Sequence, residues 1–232
     1  MKTILISGCS YGCVFSHHNI QDHIKDTFGV DNIVNLSKPG SSIKSQIQRA
    51  IEWLATAKEK PDLVLIPFTH IERYDSPLSS VPDPATAYDV SLCVSMRPFE
   101  SEERLMNRFK SRVNKDVVNQ LLKSMTLTYN DVSAFNNFVT QAELFSGWLE
   151  NKGIKHLFFN MANDFTSDWR FGNIEKKRFM YENKNIVNVF TFCANKFMYD
   201  NAKHKIPGGP FTYHHEVEEN KLLITKLKSF IV

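Results

Sequence analysis

The chain has 232 residues, of which 42% are hydrophobic and 23% charged, with nine glycines and nine prolines. This length supports one sizeable core, and the composition excludes fibrous, low-complexity and disordered classes. The formal net charge of +3 comes from scattered, nearly balanced charges, which does not favour nucleic acid as a partner. We therefore expect one soluble domain spanning residues 1–232.

Neither a membrane span nor a secretory leader is predicted. No apolar run reaches the roughly 18 residues that a bilayer helix needs, and the apolar segment before Gly8 is too short for a signal peptide. The four cysteines are few for the length, which favours a reducing compartment and a cytoplasmic location. The Asn-, Lys- and Phe-rich composition is consistent with an AT-rich, viral genome.

The first third of the chain alternates short apolar segments with helical patterns. Apolar and β-branched residues predict strands at 3–7, 32–36 and 63–68, and the third suits a parallel strand buried on both faces. Helical spacing of apolar residues follows the first two strands, over about 16–28 and 42–57. Strands that alternate with helices imply an α/β fold with a mainly parallel sheet and helices on both faces.

The rest of the chain begins with a change of pattern. Prolines and serines interrupt any period over about 75–96, which predicts an irregular insertion. An amphipathic helix is predicted over 132–151, followed by a strand at 156–161 and a short one at 185–192. An amphipathic segment over about 216–231 predicts a closing helix.

Three unusual turns follow the first three predicted strands: Gly8-Cys9-Ser10, Pro39-Gly40-Ser41 and Phe68-Thr69-His70. In parallel sheets, ligands bind at the carboxyl ends of the strands. These turns are therefore the first place to look for a functional site.

Ser10 is the candidate nucleophile. A serine in a tight turn after the first strand exposes its hydroxyl above the sheet, and its own N–H can hold an oxyanion. The alternative is a serine that only caps the following helix.

Gly40 and Thr69 are candidates for the remaining oxyanion donors. A glycine lets a backbone N–H approach a substrate closely, and a threonine hydroxyl donates one hydrogen bond. The alternatives are an ordinary Pro-Gly turn and a salt-bridged loop. Possible supporting side chains form a dense polar run after the third strand: His70, Glu72, Arg73 and Asp75.

His214 and His215 precede the closing helix and are the candidates for the general base. A serine hydroxyl needs such a base because its pKa lies far above 7. A capping or surface role is the alternative.

The order of these features resembles the SGNH/GDSL hydrolase family. Gly8-Cys9-Ser10 stands where the family has Gly-Asp-Ser with the nucleophile, Gly40 matches the oxyanion glycine of the second block, and His214 matches the base. The resemblance implies a three-layer, flavodoxin-like fold and a serine hydrolase of the esterase, acyl-esterase or acyltransferase type. It also implies a small-molecule or glycan ester as substrate, and no metal or organic cofactor.

Two departures from the family pattern stand out. The third block usually has Gly-x-Asn-Asp, where this chain has Pro67-Phe68-Thr69-His70. The family acid lies two or three residues before the base, where this chain has Thr212 and Phe211. The site would then be a catalytic dyad, or its orienting acid would come from elsewhere, such as Glu72, Asp75 or Asp164.

Two other functions stay open. One is a binding protein for a glycan or acyl ligand on the same fold, with catalysis lost. The other is a flavodoxin-like nucleotide or phosphate binder that uses the first turn, although that turn lacks a P-loop lysine. A metal site at Cys9, Cys13, His17 and His18 is a weaker hypothesis, because the side chains need not converge.

Overall fold

The structure is a computed structural model that describes residues 2–39, 41–71, 131–162, 183–189, 191–203 and 215–231, and the backbone alone of 73–77 and 91–95. The strands within these ranges are β1 (Thr3–Ile6), β2 (Asn32–Asn35), β3 (Leu63–Phe68), β4 (Arg73–Pro77), β5 (Ser91–Ser95) and β6 (His156–Asn160). The helices are α1 (Ser10–Cys13), α2 (His18–Phe28), α3 (Ile43–Thr56), α4 (Asp131–Asn151), α5 (Ala194–Asn201) and α6 (Val217–Lys228), and a 3₁₀ turn over Val14–Ser16 joins α1 to α2.

The main sheet of the described residues has four strands in the order β2-β1-β3-β6. Every neighbouring pair is parallel, with Ile6 opposite both Asn35 and Leu65, and Phe68 opposite Asn160. The order 2-1-3 at the start of the chain is that of flavodoxin-like folds, in which each crossover carries a helix. The predicted α/β class with a parallel sheet is confirmed.

Helices cover both faces of this sheet, which makes three layers. Side chains alternate along a strand, so Ile4 and Ile6 of β1 face one core and Leu5 faces the other. The first core is closed by α2, α5 and α6, and the second by α3 and α4. The apolar residues that recur at helical spacing in the sequence are the ones that face the sheet in these two cores.

Helix ends explain why the connections turn where they do. Gly29 follows α2 with φ 64°, a left-handed conformation that a glycine adopts at little cost. Ser42 begins α3, where its hydroxyl oxygen accepts the N–H of Ser45 at 3.2 Å. Both devices lie at positions that the sequence patterns predicted as helix boundaries.

The prediction of an irregular insertion over about 75–96 is wrong at both ends of that range. β4 and β5 form an antiparallel two-stranded sheet there, with Asp75 opposite Cys93. The prolines misled the interpretation because Pro77 is the last residue of β4, and proline is tolerated in edge strands, which is what a two-stranded sheet offers.

Two further differences concern the ends of the predicted elements. The strand predicted over 185–192 is only a single parallel bridge, Phe158 to Ile186, because the chain turns back at Asn188. The helix predicted from about residue 16 begins at His18, after α1 and the 3₁₀ turn. None of the described helices is both long and apolar enough to cross a membrane.

Candidate active site at the carboxyl edge of the sheet

Buried polar side chains are concentrated at the carboxyl edge of the main sheet. Burying a polar group costs free energy unless it is hydrogen bonded, so a concentration of such groups is a candidate for a functional site. The residues at this edge that are at most 6% exposed are Ser7, Ser41, Ser42, Gln46, Thr69, His70, Asn160 and Asn195. They follow β1, β2, β3 and β6, so the edge is polar above all four strands.

Ser10 lies at the centre of this edge, directly above β1. It is half-buried and is the first residue of α1, whereas the N-cap is Cys9. The interpretation of Ser10 as a capping serine is therefore wrong. Within the described ranges its hydroxyl has no hydrogen-bond partner, so it is left available for chemistry.

Close packing fixes the turn that carries Ser10. A Cβ on Gly8 would lie 2.7 Å from Cγ of Pro67, and a Cβ on Gly12 would overlap the side chain of Ser37. The Gly8 N–H also donates to the Ser37 hydroxyl at 2.9 Å. Both glycines are thus explained by the approach of the β1 turn to the ends of β2 and β3, and they are no evidence for a phosphate cradle.

Arg49 and Asn35 tie the same turn to β2. The Arg49 guanidinium donates to the carbonyl oxygens of Leu36 at 2.9 Å and Gly8 at 3.0 Å. The Asn35 amide donates to the Gly12 carbonyl at 2.9 Å. These bonds use the fixed geometry of the guanidinium and amide to hold the backbone on both sides of Ser10.

The residues after β3 lie beside the Ser10 turn. Thr69 is fully buried, and His70 is 5% exposed. The His70 ring meets the ring of Tyr11, the residue after Ser10, edge to face with centroids 6.5 Å apart. The first and third predicted blocks therefore meet in the structure.

α2 and α6 run side by side in the same direction. His23 Nε2 lies 3.1 Å from both the Lys221 carbonyl oxygen and the Thr225 hydroxyl. Near the other ends of these helices, Lys228 Nζ lies 5.6 Å from the centre of the Phe28 ring. Both contacts join residues about 200 positions apart in sequence, so the two helices are parallel.

His215 precedes α6 at the end of that helix nearest to the Ser10 turn. Because α2 descends from the carboxyl edge after β1, a parallel α6 begins at the same edge. His215 is half-buried, and its carbonyl oxygen accepts from the Asn220 amide at 2.9 Å.

Three predicted site residues, Gly40, Glu72 and His214, lie outside the described residues, as does the proposed acid Asp164. Arg73 and Asp75 lie on β4, for which only the backbone is described. Their roles stay predictions.

The cysteines near Ser10 have no metal-binding arrangement. Cys9 is fully buried, and the Cys13 thiol lies 3.5 Å from the Ser37 carbonyl oxygen. His17 and His18 are exposed. Over the ranges described, no group of three His, Cys, Asp or Glu side chains is placed to hold a metal ion.

Thiol chemistry is also disfavoured at Cys13. Burial raises the pKa of the Cys13 thiol, the neighbouring Cys9 raises it further, and Arg49 opposes the shift. A thiol with a raised pKa stays protonated at neutral pH and is a poor nucleophile.

Sequence reasoning missed Gln46, Asn160 and Asn195. Gln46 occupies a core-facing position between Ile43 and Ile47, and Asn160 ends an apolar strand just as Thr69 follows one. The side-chain amides of Gln46 and Asn195 are buried without a hydrogen-bond partner within the described part of the chain. A polar residue that interrupts an apolar period was the available signal.

A serine–histidine contact exists at the opposite edge of the sheet. The hydroxyl of Ser146 on α4 lies 2.7 Å from Nε2 of His156, the first residue of β6. His156 Nδ1 lies 3.0 Å from the Ile154 carbonyl oxygen, and the Asn183 amide donates to the Ser146 hydroxyl at 3.0 Å. Ser146 is fully buried and His156 is 4% exposed, so this pair has no access to a substrate.

Comparisons with known proteins identify no family. No family model matches the chain, and no curated protein matches it in sequence. One solved structure, a mutant of the esterase AlinE4, is similar over 98% of this chain and 93% of its own, with 11% identity and a TM-score of 0.46. A likeness at that level decides neither the fold nor the activity.

Proposed function

We propose that this chain is a serine-dependent hydrolase that acts on an ester or O-acyl group, as a divergent SGNH-type enzyme. The observation that carries the proposal is Ser10, a half-buried serine with an uncommitted hydroxyl at the centre of the polar carboxyl edge. A structural serine in such a buried surrounding would be expected to spend its hydroxyl on the protein.

In the proposed reaction the Ser10 oxygen attacks the acyl carbon while His214 accepts the hydroxyl proton. The N–H groups of Ser10 and Gly40, with the Thr69 hydroxyl, stabilise the oxyanion. The carbon–oxygen bond to the alcohol then breaks, and the histidine returns the proton to the leaving alkoxide. Water, activated by the same histidine, cleaves the acyl-enzyme and restores Ser10.

The direction of α6 supports a histidine base. His214 directly precedes His215, whose carbonyl oxygen is held by Asn220 at the start of α6. A base for Ser10 must lie at the carboxyl edge of the sheet, which is the edge where α6 begins. His70, already in contact with Tyr11, is a supporting residue.

The proposal extends to the domain organisation and the substrate: the chain forms one domain over residues 1–232, and its substrate is a small-molecule or glycan ester. β4 begins at Arg73, soon after β3 ends at Phe68, so the backbone that carries Arg73 and Asp75 emerges beside the site. We propose that it shapes the choice of a small-molecule or glycan ester. The few cysteines fit a cytoplasmic enzyme.

A binding protein that has lost catalysis is the second candidate. Thr69, in place of the family asparagine, is fully buried, and Phe211 and Thr212 offer no carboxylate before the base. This candidate predicts a folded chain with a ligand and no turnover of any ester.

The deciding experiment is labelling by a fluorophosphonate probe, which reacts with an activated serine. We expect the unmodified chain to label, and the Ser10→Ala and His214→Ala variants to fall to background, because one lacks the nucleophile and the other its base. Ser229→Ala is the matched control, since that serine is exposed and, among the described residues, donates to the Lys226 carbonyl at 2.7 Å. It should label like the unmodified chain.

Two results would decide against the proposal. Labelling of Ser10→Ala at the full rate would move the nucleophile elsewhere. A folded but unlabelled chain would favour the binding protein. His215→Ala, made alongside His214→Ala, identifies which histidine of the pair is the base.

A further inference from the structure

The hydrogen-bond ladder between β1 and β2 stops just before the turn that carries Ser10. Its last bond runs from the Leu36 N–H to the Ile6 carbonyl oxygen at 2.8 Å. A regular parallel ladder would continue with a bond from the Gly8 N–H to the Leu36 carbonyl oxygen. The Gly8 N–H instead donates to the Ser37 hydroxyl at 2.9 Å. The two chains therefore separate at this point, and the Leu36 carbonyl oxygen loses its regular donor.

Arg49 of α3 bridges the two separated chains. Its Nε donates to the Leu36 carbonyl oxygen at 2.9 Å, and its Nη2 donates to the Gly8 carbonyl oxygen at 3.0 Å. A guanidinium presents its N–H donors in one rigid plane, so this side chain fixes the distance between the two carbonyl groups. One residue thus sets where the β1 turn lies relative to the end of β2.

The need to pair backbone groups does not account for both of these bonds. The Gly8 carbonyl oxygen already accepts the Lys38 N–H at 3.2 Å, so the guanidinium is a second donor to it. Arg49 is half-buried, and holding a long side chain in one geometry costs conformational entropy. A charged donor on a carbonyl that is already paired, two residues before the candidate nucleophile, indicates a role in shaping the turn.

The charge of Arg49 also acts on the short helix that begins at Ser10. Cys13 is the last residue of that helix, and its pKa is raised by burial and by Cys9, whereas Arg49 lowers it. A thiolate at Cys13 and an oxyanion at Ser10 both place negative charge on this turn. A positive charge that favours the first should therefore favour the second.

We propose that Arg49 is a positioning residue for the nucleophile: by bridging the two separated chains it holds the Ser10 hydroxyl and N–H where the acyl carbon and its oxyanion arrive, and its positive charge favours the negative charge that forms there. The inference rests on the proposed function. Arg49 acts through the backbone of the turn and not on the substrate. A displacement of about 1 Å in a reacting group can cost about 10²-fold in rate, which is the effect expected when the bridge is removed.

The test compares Arg49→Gln with Lys44→Gln, two changes on α3 that each remove one positive charge. Lys44 is the matched control because it is exposed and makes no hydrogen bond or ion pair within the described ranges. We measure fluorophosphonate labelling at several probe concentrations. Arg49→Gln should lower the maximal rate about 10²-fold and leave the half-saturating concentration unchanged, because the turn moves while the probe site remains. Lys44→Gln should label like the unmodified chain.

Rescue experiments separate positioning from a loss of folding, and each variant is compared where circular dichroism shows it to be folded. Arg49→Lys keeps the charge but lacks the planar pair of donors, so it should label at an intermediate rate. Free guanidinium, added to Arg49→Ala far below denaturing concentrations, should occupy the vacated space and restore part of the rate.

The Cys13 thiol reports the charge at this turn without any reaction at Ser10. Its alkylation is followed across pH by mass spectrometry of the peptide that contains it. Arg49→Gln should raise the Cys13 pKa, because the positive charge that opposes the effect of burial is gone. Arg49→Lys and Lys44→Gln should leave it near the value of the unmodified chain.

Each failure has its own signature. Equal labelling of folded Arg49→Gln and Lys44→Gln, with Ser10→Ala unlabelled, would overturn the role of Arg49 while leaving Ser10 as the nucleophile. Slower labelling that follows the loss of folded protein, with no recovery in guanidinium and no change at Cys13, would make Arg49 a structural residue, which also overturns the inference. Full labelling of Ser10→Ala would instead remove the proposed function.

Discussion

The serine hydroxyls at the two edges of the sheet differ in both hydrogen bonding and burial. At the amino edge, Ser146 donates to His156 and accepts from Asn183, and it is fully buried. At the carboxyl edge, Ser10 is half-buried, and its hydroxyl has no partner in the described part of the chain. The amino-edge pair has the short serine–histidine contact that is usually taken as a sign of catalysis, yet no substrate can reach it.

The comparison teaches that a serine–histidine distance alone does not identify a nucleophile. At the amino edge the Nδ1–H of His156 donates a hydrogen bond to the Ile154 carbonyl oxygen, since a carbonyl can only accept. Nε2 of the neutral ring then accepts a hydrogen bond from the Ser146 hydroxyl, which closes the network. Such a network stabilises packing between α4 and β6. A nucleophile needs a hydroxyl that a substrate can reach and hydrogen-bond donors that are not yet used.

The largest expected effect on stability is at the amino edge. Ser146→Ala removes the donor to His156 and the acceptor for Asn183, which leaves a buried ring nitrogen and a half-buried amide unpaired. A buried unpaired group costs about 1–3 kcal/mol and the half-buried amide less, so we expect the free energy of unfolding to fall by about 1–4 kcal/mol in urea titrations. Labelling of the folded protein should not change, and its loss would show that the two edges are not independent.

Gly12→Ala tests the carboxyl edge by packing rather than chemistry. The added methyl group overlaps the Ser37 side chain, and overpacking of this kind typically costs about 1–3 kcal/mol. Because Gly12 lies two residues from Ser10, the labelling rate should fall as well. Gly147→Ala on α4 is the matched control, since an added Cβ meets nothing within 4 Å there. Equal effects from both changes would refute the tight packing around Ser10.

The smallest expected effect is on the pH dependence of stability, and it arises from His156 at the amino edge alone. Burial lowers the pKa of His156 from its ordinary 6.5, and the Ile154 carbonyl and Glu150 oppose the shift. The unfolded chain therefore binds more protons than the folded one just below pH 6.5, so stability is held above that pH and falls as the pH drops through the lowered value. Melting temperatures between pH 7.5 and pH 5 measure it, and His156→Gln should flatten the decline.

Local sequence patterns were sufficient for the elements whose role is set by burial. The unbroken run of β3 and the apolar spacing of α3 come within a residue or two of the structure, because both periods follow from which faces are buried. The patterns failed at β4 and β5, whose pairing depends on contacts between segments about 20 residues apart. α5 was missed because its eight residues provide too short a period to detect.

For the candidate site, the sequence by itself determined which turns bear polar side chains and that they follow parallel strands, since strand order along the chain places those turns on one edge. Only the tertiary structure decided how each is used. It separated Ser10 from the closed Ser146–His156 network, and it assigned Gly8 and Gly12 to packing against Ser37 and Pro67. These distinctions depend on burial and on hydrogen bonds between distant segments, which no local pattern records.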